Sequence, residues 1–240
     1  MKLNQFLIPL VISGLFCTVS CQKAGLKPVS STADTAQKIV VVLGSSTAAG
    51  WGASTFDSSW VGRLKARIKA DGKKIKVINL AVPGYTTYQT LPSGYHTAGR
   101  PLPDTNANVT KALQLKPALV LINLPSNDVA NGYSDQEFLD NFYIITKTIS
   151  KKSIPFVLTG TQPRNLAEVN LRNRLKYLND SLLNRYHDST NSYFSKLSSD
   201  GYQILPQYSY GDGIHLNNAG HKIIYQAFMN NSLFRKILNY

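Results

Sequence analysis

The chain has 240 residues, of which 43% are hydrophobic and 16% charged, so it can bury one substantial core and is not a disordered polypeptide. Its formal net charge is +13, which favours anionic partners such as nucleic acid, anionic lipid or acidic polysaccharide. The basic residues form no long block, and no zinc-finger spacing or RNA-binding signature accompanies them. A solvated basic surface is therefore the simpler interpretation, and no nucleic-acid partner is expected.

The first 20 residues have the layout of a secretory signal peptide. Lys2 supplies a positive charge, an apolar run extends from Phe6 to Phe16, and small residues then lead to Cys21. The apolar run is too short to span a bilayer stably. Both cysteines of the chain, Cys17 and Cys21, lie in this segment, so the remainder of the chain cannot form a disulfide.

Cys21 follows a serine at the end of the apolar run, and this position resembles that of the lipidated cysteine in bacterial lipoprotein signals. The resemblance implies that Cys21 becomes a lipidated first residue; ordinary cleavage of a secretory signal is the alternative. Flexible-chain scaling gives the Ser- and Lys-rich segment 22–37 a reach of roughly 20–25 Å. We therefore expect a signal peptide (1–20), a lipidated cysteine with a flexible tether (21–37) and one folded domain (38–240), exported and anchored in the cell envelope, in the periplasm or at the outer membrane.

Short aliphatic runs alternate with helical patterns along the rest of the chain. Four runs, at residues 39–43, 75–80, 118–124 and 155–158, are mostly aliphatic or β-branched, as is typical of strands that are buried on both faces of a parallel sheet. A fifth strand is expected within residues 193–205. The alternation predicts a three-layer α/β/α sandwich with a mostly parallel, flavodoxin-like sheet.

Between the strands, apolar side chains recur at helical spacing. The sets with this spacing are Trp60, Leu64 and Ile68; Phe138, Phe142, Ile145 and Ile149; and Leu171, Leu175, Leu178 and Leu182. Ser134 can accept a hydrogen bond from the amide of Glu137, which is a capping-box signature at the start of the second set. Weaker helical patterns cover residues 109–115, closed by Pro117, and residues 218–228.

The first strand ends in a cluster of small residues, Gly44, Ser45, Ser46 and Thr47. Neither the Walker phosphate loop nor the dinucleotide fingerprint matches this cluster, because the required lysine and the second glycine are absent. The nucleophile elbow G-x-S-x-G does not match either, since Ala48 stands where the last glycine belongs. Ser46 is a candidate nucleophile, and this role requires an imidazole base within reach.

Of the histidines, His215 is the one with a carboxylate close in sequence on a tight loop, Asp212. Their three-residue separation lets the carboxylate accept from the ring Nδ1–H and leaves Nε2 to face a serine. An oxyanion needs hydrogen-bond donors, and the amides of Ser46 and Gly84 and the side chain of Asn127 are suitable donors near strand ends. A simple turn at Gly84, and an Asx turn or helix cap at Asn127, are the alternatives that this pattern leaves open.

These stretches, in this order and spacing, resemble the conserved blocks of the SGNH (GDSL-like) hydrolase superfamily over residues 38–228. The resemblance implies a serine esterase that uses an acyl-enzyme and needs no metal or other cofactor. The positions it implies are a triad of Ser46, Asp212 and His215 and an oxyanion hole of Ser46, Gly84 and Asn127. Ser45 and Pro125 depart from the family pattern, which has an aspartate and a glycine there. His221 is expected to have a structural role in the last helix.

The expected substrate follows from the predicted location and from aromatic side chains near the nucleophile, which suit sugar rings. These aromatic residues, with one neighbouring histidine, are Trp51, Tyr85, Tyr88, Tyr95 and His96. No long exposed apolar stretch that would hold a fatty acyl chain is evident. We therefore expect an esterase that removes short acyl groups, acetyl above all, from small-molecule or polysaccharide esters. A lysophospholipase or thioesterase acting on lipid esters, and a tethered glycan-binding protein without activity, remain as alternatives, and the aromatics could equally pack loops onto the core.

Overall fold

The structure, a computed structural model, describes residues 36–240. The predicted signal peptide, the proposed lipidation site at Cys21 and most of the predicted tether lie outside the described residues and stay predictions. Within residues 36–240, no helix combines the length and the hydrophobicity that a membrane span requires.

A single five-stranded sheet organises the described residues. Its strands are β1 (Lys38–Gly44), β2 (Ile75–Asn79), β3 (Leu119–Asn123), β4 (Phe156–Thr159) and β5 (Thr190–Asn191). All neighbouring strands are parallel, and their order in the sheet is β2-β1-β3-β4-β5. This is the flavodoxin-like order, so the predicted sheet type is confirmed.

Helices connect the strands and cover both faces of the sheet. They are α1 (Ser46–Ala49), α2 (Trp60–Ala70), α3 (Thr87–Thr90), α4 (Val109–Gln114), α5 (Asn127–Ala130), α6 (Asp135–Ser150), α7 (Val169–Tyr186), α8 (Phe194–Leu197), α9 (Asn218–Asn230) and α10 (Ser232–Leu238). The capping box predicted at the start of α6 is present, since Ser134 and Glu137 bond each other's backbone N–H groups.

Alternate residues of the strands point to two separate apolar cores. Val40 and Val42 of β1 pack with α2, α9 and α10 on one face, and Val41 and Leu43 pack with α4, α6 and α7 on the other. Successive side chains of a strand point to opposite faces of its sheet, so a strand buried on both faces is apolar throughout. The predicted three-layer α/β/α architecture is confirmed.

Two elements near the C-terminus differ from the sequence-based expectation. The fifth strand was expected within residues 193–205, and this was wrong: β5 is Thr190–Asn191, and residues 194–197 form α8. β5 is polar and only two residues long, so it has no apolar run, and its pairing with Leu158 and Thr159 of β4 defines it. The last helical pattern was expected to end at residue 228, whereas α9 continues to Asn230 and α10 follows it.

The strand order creates a switch point between β1 and β3. The chain leaves β1 toward β2 on one side and then returns to place β3 on the other side. In sheets of this kind, the crevice outside the carboxyl ends at the switch point is where ligands bind. The loops after β1 and β3, which carry Ser46 and Asn127, therefore meet at one place.

Candidate active site

Ser46 lies at the first residue of α1, directly after the turn that ends β1. The preceding residue, Ser45, donates its backbone N–H to the carbonyl of Asn123 at the end of β3 (3.1 Å). This bond fixes the Ser46 turn against the neighbouring strand. Ser46 is largely buried, with 8% of its surface exposed, so its hydroxyl is held in one place at the bottom of the crevice.

The structure brings Ser46, His215 and Asp212 into one hydrogen-bonded chain. His215 Nε2 lies 2.9 Å from Ser46 Oγ, and His215 Nδ1 lies 2.6 Å from Asp212 Oδ2. A carboxylate can only accept, so Nδ1 carries the proton and the lone pair of Nε2 faces the serine hydroxyl. This arrangement suits proton removal from Ser46.

Asp212 is held in its ionised form by the loop that it belongs to. Its Oδ1 accepts the backbone N–H groups of Ile214 (2.9 Å) and His215 (2.8 Å). Burial acts to raise the pKa of Asp212, but these hydrogen bonds and the His215 ring outweigh it and lower the pKa to about 2. The carboxylate is therefore charged at neutral pH and can stabilise a protonated His215 ring.

The three predicted oxyanion donors are near this chain in the fold. Among residues 36–240, the backbone N–H groups of Ser46 and Gly84 donate no hydrogen bond. Asn127 Nδ2 donates to the carbonyl of Tyr85 (2.8 Å), so the Asn127 side chain adjoins the Gly84 turn. Asn127 does not cap α5, whose N-cap residue is Ser126; of the alternatives, the helix cap is absent.

Arg164 fixes the orientation of the Asn127 amide. Its Nη1 donates to Asn127 Oδ1 (3.2 Å), which leaves the Nδ2 group of Asn127 on the side of the Gly84 turn. Burial lowers the pKa of Arg164, and the charge of Asp212 opposes this effect, which shows that the two charged groups sense each other. Arg164 therefore contacts the predicted oxyanion residue and lies close enough to Asp212 for the two charges to interact.

A family model described as the GDSL-like lipase/acylhydrolase family matches residues 42–223, which is well over half of the chain. The match begins in β1 and extends into α9, so it includes all the residues of the hydrogen-bonded chain. The chain belongs to the GDSL-like lipase/acylhydrolase family. The family resemblance inferred from the four blocks is thereby confirmed, and the chain is an acylhydrolase of the SGNH type.

Solved structures of the GDSL-like family have the same fold. A protein from Bacteroides fragilis that is described as an acylhydrolase is 21% identical to this chain, with a TM-score of 0.62. The match covers 85% of this chain and 90% of that one. A GDSL-like lipase from Bacteroides thetaiotaomicron is 20% identical with a TM-score of 0.62, over 84% and 90%. The psychrotrophic esterase EstA from Pseudoalteromonas sp. is 18% identical with a TM-score of 0.58, over 85% and 100%. No curated protein sequence matches the chain.

Gln162, which no sequence motif indicated, connects three loops of this GDSL-like site. The residue is buried after β4; its Oε1 accepts the hydroxyl of Thr47 (3.2 Å), and its Nε2 donates to the carbonyl of Ile214 (3.0 Å). Its backbone N–H donates to the carbonyl of Pro125 (3.3 Å). Its position at the carboxyl end of a buried strand is the one signal that the sequence offers for it.

His221 has the structural position that was expected for it. Its Nδ1 accepts the backbone N–H of Trp60 (3.3 Å), and its Nε2–H donates to the carbonyl of Trp51 (2.9 Å). Burial is the main cause that lowers the pKa of His221 to about 4, so the ring is neutral at pH 7. His221 thus ties α9 to the start of α2 and to the turn after Ser46.

Asp128 joins the loop after β3 to the loop that contains Gly84. Its carboxylate is fully buried and accepts both the backbone N–H and the hydroxyl of Thr87. Burial raises the pKa of Asp128 to about 6, although the Thr87 hydrogen bonds oppose the shift. The Thr87 hydroxyl in turn accepts from Asn141 Nδ2 (2.8 Å), so α6 supports the same loop.

The two departures from the family pattern lie inside the packed part of the site. Ser45 is buried and holds the strand end through its backbone, as described above. Pro125 is buried too, and its carbonyl accepts from Gln162. Within the described residues, no group of three or more His, Cys, Asp or Glu side chains is arranged to hold a metal ion.

Proposed function

We propose that the chain is a serine esterase that removes short acyl groups, acetyl above all, from carbohydrate esters. The observation that carries the esterase assignment is the continuous hydrogen-bonded chain from Asp212 through His215 to Ser46. Family membership supports acyl transfer to water as the reaction, and the geometry supports Ser46 as the nucleophile.

In the proposed mechanism, Ser46 Oγ attacks the ester carbonyl while His215 Nε2 takes the hydroxyl proton. Asp212 stabilises the charged imidazole ring without becoming protonated. The protonated ring then gives its proton to the departing alcohol as the C–O bond breaks, which leaves an acyl-enzyme. Water repeats the sequence: His215 removes its proton, the acid leaves and Ser46 recovers its hydrogen.

The oxyanion formed in both halves is assigned to the N–H groups of Ser46 and Gly84 and to Asn127 Nδ2. The two backbone N–H groups have no competing acceptor within residues 36–240, so they are available without rearrangement. The Asn127 amide is held from both ends by Tyr85 and Arg164. Donors that are fixed before the reaction stabilise developing charge without a reorganisation cost.

A groove beside His215 supports carbohydrate as the alcohol part of the substrate. Trp51 is 57% exposed with its ring centroid 5.6 Å from that of His215, and Tyr210 is 61% exposed. The groove has a volume of about 420 Å³ and is lined by Gly52, Ser54, Tyr210, Asn217, Asn218 and Ala219. The Asn217 and Asn218 amides are bonded within the chain, so the support for a sugar ring comes from the exposed faces of the two aromatic side chains.

The tyrosines after Gly84 do not contribute to this argument. Tyr88 is buried and donates its hydroxyl to Glu137, while the Tyr85 hydroxyl donates to Asp104. Tyr95 packs against the apolar core on the same face of the sheet. For these three side chains the structure favours the alternative of loop packing, and the sugar-binding proposal therefore rests on Trp51 and Tyr210.

A panel of aryl esters from acetyl to palmitoyl, assayed beside acetylated polysaccharides, tests the proposal. We expect the acetyl ester to be the best aryl substrate, and acetate to be released from at least one polysaccharide. Ser46→Ala is expected to lower kcat by at least about 10⁴-fold for each substrate, because the nucleophile is lost.

Three results would contradict parts of this scheme. A preference for palmitoyl esters would replace it with a lysophospholipase or thioesterase. Full activity in Ser46→Ala would remove the assigned nucleophile. Glycan binding without any ester hydrolysis would identify a non-catalytic glycan-binding protein.

A further inference from the structure

Lysines collect at the first residue of β1 and in the turns that precede β2, β3 and β4. Since all five strands are parallel, their starting ends lie on one edge of the sheet, opposite the active site. The six lysines, called here the basic edge, are Lys38, Lys73, Lys74, Lys116, Lys151 and Lys152. Sequence alone suggested a scattered basic surface, because these residues are far apart along the chain.

Backbone hydrogen bonds bring these turns together. Lys38 donates its N–H to the carbonyl of Lys74 (2.9 Å), which joins the starts of β1 and β2. Two residues after Lys116, Ala118 donates its N–H to the carbonyl of Ile39 (2.8 Å), which joins the start of β3 to them. Val120 donates its N–H to the carbonyl of Pro155 (3.1 Å), which adds the start of β4, so the basic edge runs along the starts of β2, β1, β3 and β4.

Among residues 36–240, the lysines of the basic edge have no carboxylate partner; Lys38 and Lys73 donate instead to backbone carbonyls at the end of α10. None of the six lysines forms an ion pair within the part of the chain that the structure describes. Asp71, which adjoins the edge, is already paired with Arg67 (2.6 Å). Lys74, Lys116 and both lysines after α6 are exposed, so their ammonium groups face solvent.

Helix dipoles account for only part of this pattern. The helices α2, α4 and α6 end beside the basic edge, and a cation in the last turn of a helix is stabilising. That effect falls off within one turn, and lysines inside the last turns of the helices, such as Lys69 and Lys147, already provide the stabilising cation. Lys151 is the C-cap residue of α6 and lies within this reach, whereas Lys73, Lys74 and Lys152 lie beyond it. A surface selected only for solubility would mix both signs of charge.

We propose that the basic edge lies against the headgroups of an anionic lipid bilayer. Charge complementarity identifies the occupant, and the chain position supports it, because the 35 residues outside the structure join the described part just before β1, on this edge. Juxtamembrane clusters of four to eight basic residues bind anionic lipids electrostatically. The active site, on the opposite edge, then opens away from the membrane.

Vesicle sedimentation of the full chain tests this proposal, with phosphatidylcholine vesicles compared with vesicles that also contain phosphatidylglycerol. The measured quantity is the ratio of the two partition coefficients, which cancels any contribution of the apolar N-terminus. Each lysine near an anionic bilayer strengthens binding about fivefold, so the triple variant K74Q/K116Q/K152Q is expected to lower the ratio at least about tenfold. The wild-type ratio should fall toward one at high salt.

The matched control is K176Q/K196Q/K222Q, which removes the same net charge from lysines in the middle of α7, in α8 and in the first half of α9. Its ratio is expected to fall by no more than about threefold, since those lysines lie farther from the bilayer. Hydrolysis of an aryl acetate should be unchanged in both variants, which would show that both are folded. The vesicle ratio is measured without any ester substrate, so it tests membrane binding independently of the proposed function.

Several outcomes would overturn the proposal. The first is an equal loss in the two variants, which would make net charge the cause. The second is an unchanged ratio in K74Q/K116Q/K152Q. The third is that K74Q/K116Q/K152Q binds a soluble acidic polysaccharide more weakly than the wild type while its vesicle ratio is unchanged. The basic edge would then be a glycan-binding surface.

Discussion

Gln162 is a buried side chain that bonds both of the segments that carry the proposed catalytic residues Ser46 and His215. It bonds the turn after Ser46 through Thr47 and the loop before His215 through Ile214. Gln162→Leu keeps the volume similar but removes both bonds. We expect kcat to fall about 10²-fold with a small change in KM, because misplacement of about 1 Å is enough for such a loss. Steady-state kinetics with an aryl acetate measure it.

Thr161→Val is the matched control for this substitution. Thr161 is the adjacent buried residue, and its hydroxyl donates to the carbonyl of Leu175 in α7, away from the catalytic loops. Both variants are expected to be less stable by about 1–3 kcal/mol, since each leaves a buried polar group without its partner. If Thr161→Val lowers kcat as much as Gln162→Leu, the effect is general destabilisation and the positioning role is lost.

Asp128 makes the stability of the folded chain depend on pH. Burial raises its pKa from the ordinary 3.8 to about 6, so between these values the folded form keeps a proton that the unfolded form has released. The free energy of unfolding therefore decreases by about 3 kcal/mol in total as pH rises through this window. Above the window, Asp128 is ionised in both forms, and its contribution no longer changes with pH. In Asp128→Asn this contribution is absent.

The measurement is denaturant unfolding of the wild type and of Asp128→Asn at intervals across this pH window. The difference between the two stability curves isolates the contribution of Asp128 from that of the other carboxylates. Asp140→Asn, which changes an exposed carboxylate on α6, is the control and should follow the wild type. Parallel curves for wild type and Asp128→Asn would show that the buried carboxyl does not retain its proton.

The individual residues that the sequence indicated are those that belong to a recognisable sequence motif. A serine after a strand and an Asp-x-x-His pair are readable because acyl transfer needs them in these forms, and the structure places Ser46, Asp212 and His215 in contact. Gln162 and Arg164 were not predicted. Their roles come from hydrogen bonds between loops that are far apart in sequence, and no spacing rule describes such bonds.

Among the elements, the turn between α1 and α2 fits closely against the loop that carries His215. Gly52 in this turn has φ +87°, and a Cβ there would lie 2.2 Å from the Leu216 carbonyl oxygen and 2.9 Å from His215 Cβ. Gly52→Ala must push the two loops apart. We expect kcat to fall by about 10²-fold or more as His215 moves from Ser46, measured with an aryl acetate.

Gly94→Ala separates backbone strain from this steric clash. Gly94 has a similar φ of +84°, but a Cβ there meets nothing within 4 Å. Both variants incur a conformational cost of about 1–2 kcal/mol, which thermal unfolding measures. Only Gly52→Ala should lose activity; equal kcat values in the two variants would mean that the His215 loop tolerates the displacement.

The elements that were predicted correctly are those with a strong local pattern. Each of the first four strands contains a mostly aliphatic run, and α2, α6 and α7 have regular apolar spacing. The capping box at Ser134 marks where α6 begins. β5 was placed wrongly because two polar residues carry no strand pattern of their own. It is a strand only through pairing with β4, so tertiary contacts decide its conformation.

In the whole molecule, parallel strand order separates two kinds of surface. Every loop after a strand lies on the active-site edge, and every turn before a strand lies on the basic edge. The sequence predicted the first of these surfaces, since the carboxyl ends of parallel strands always meet. It did not predict the second, because lysines in separate turns look scattered until the strand order is known.

The same strand order leaves two strands, β2 and β5, at the outer margins of the sheet. An outer strand has unpaired backbone groups that a second molecule can bind, which is a common route to aggregation. Here β2 carries exposed Lys76 as its second residue, and β5 offers a template of only two residues. Neither margin allows the sheet to extend easily into a neighbouring copy, so the chain can stay dispersed at high concentration.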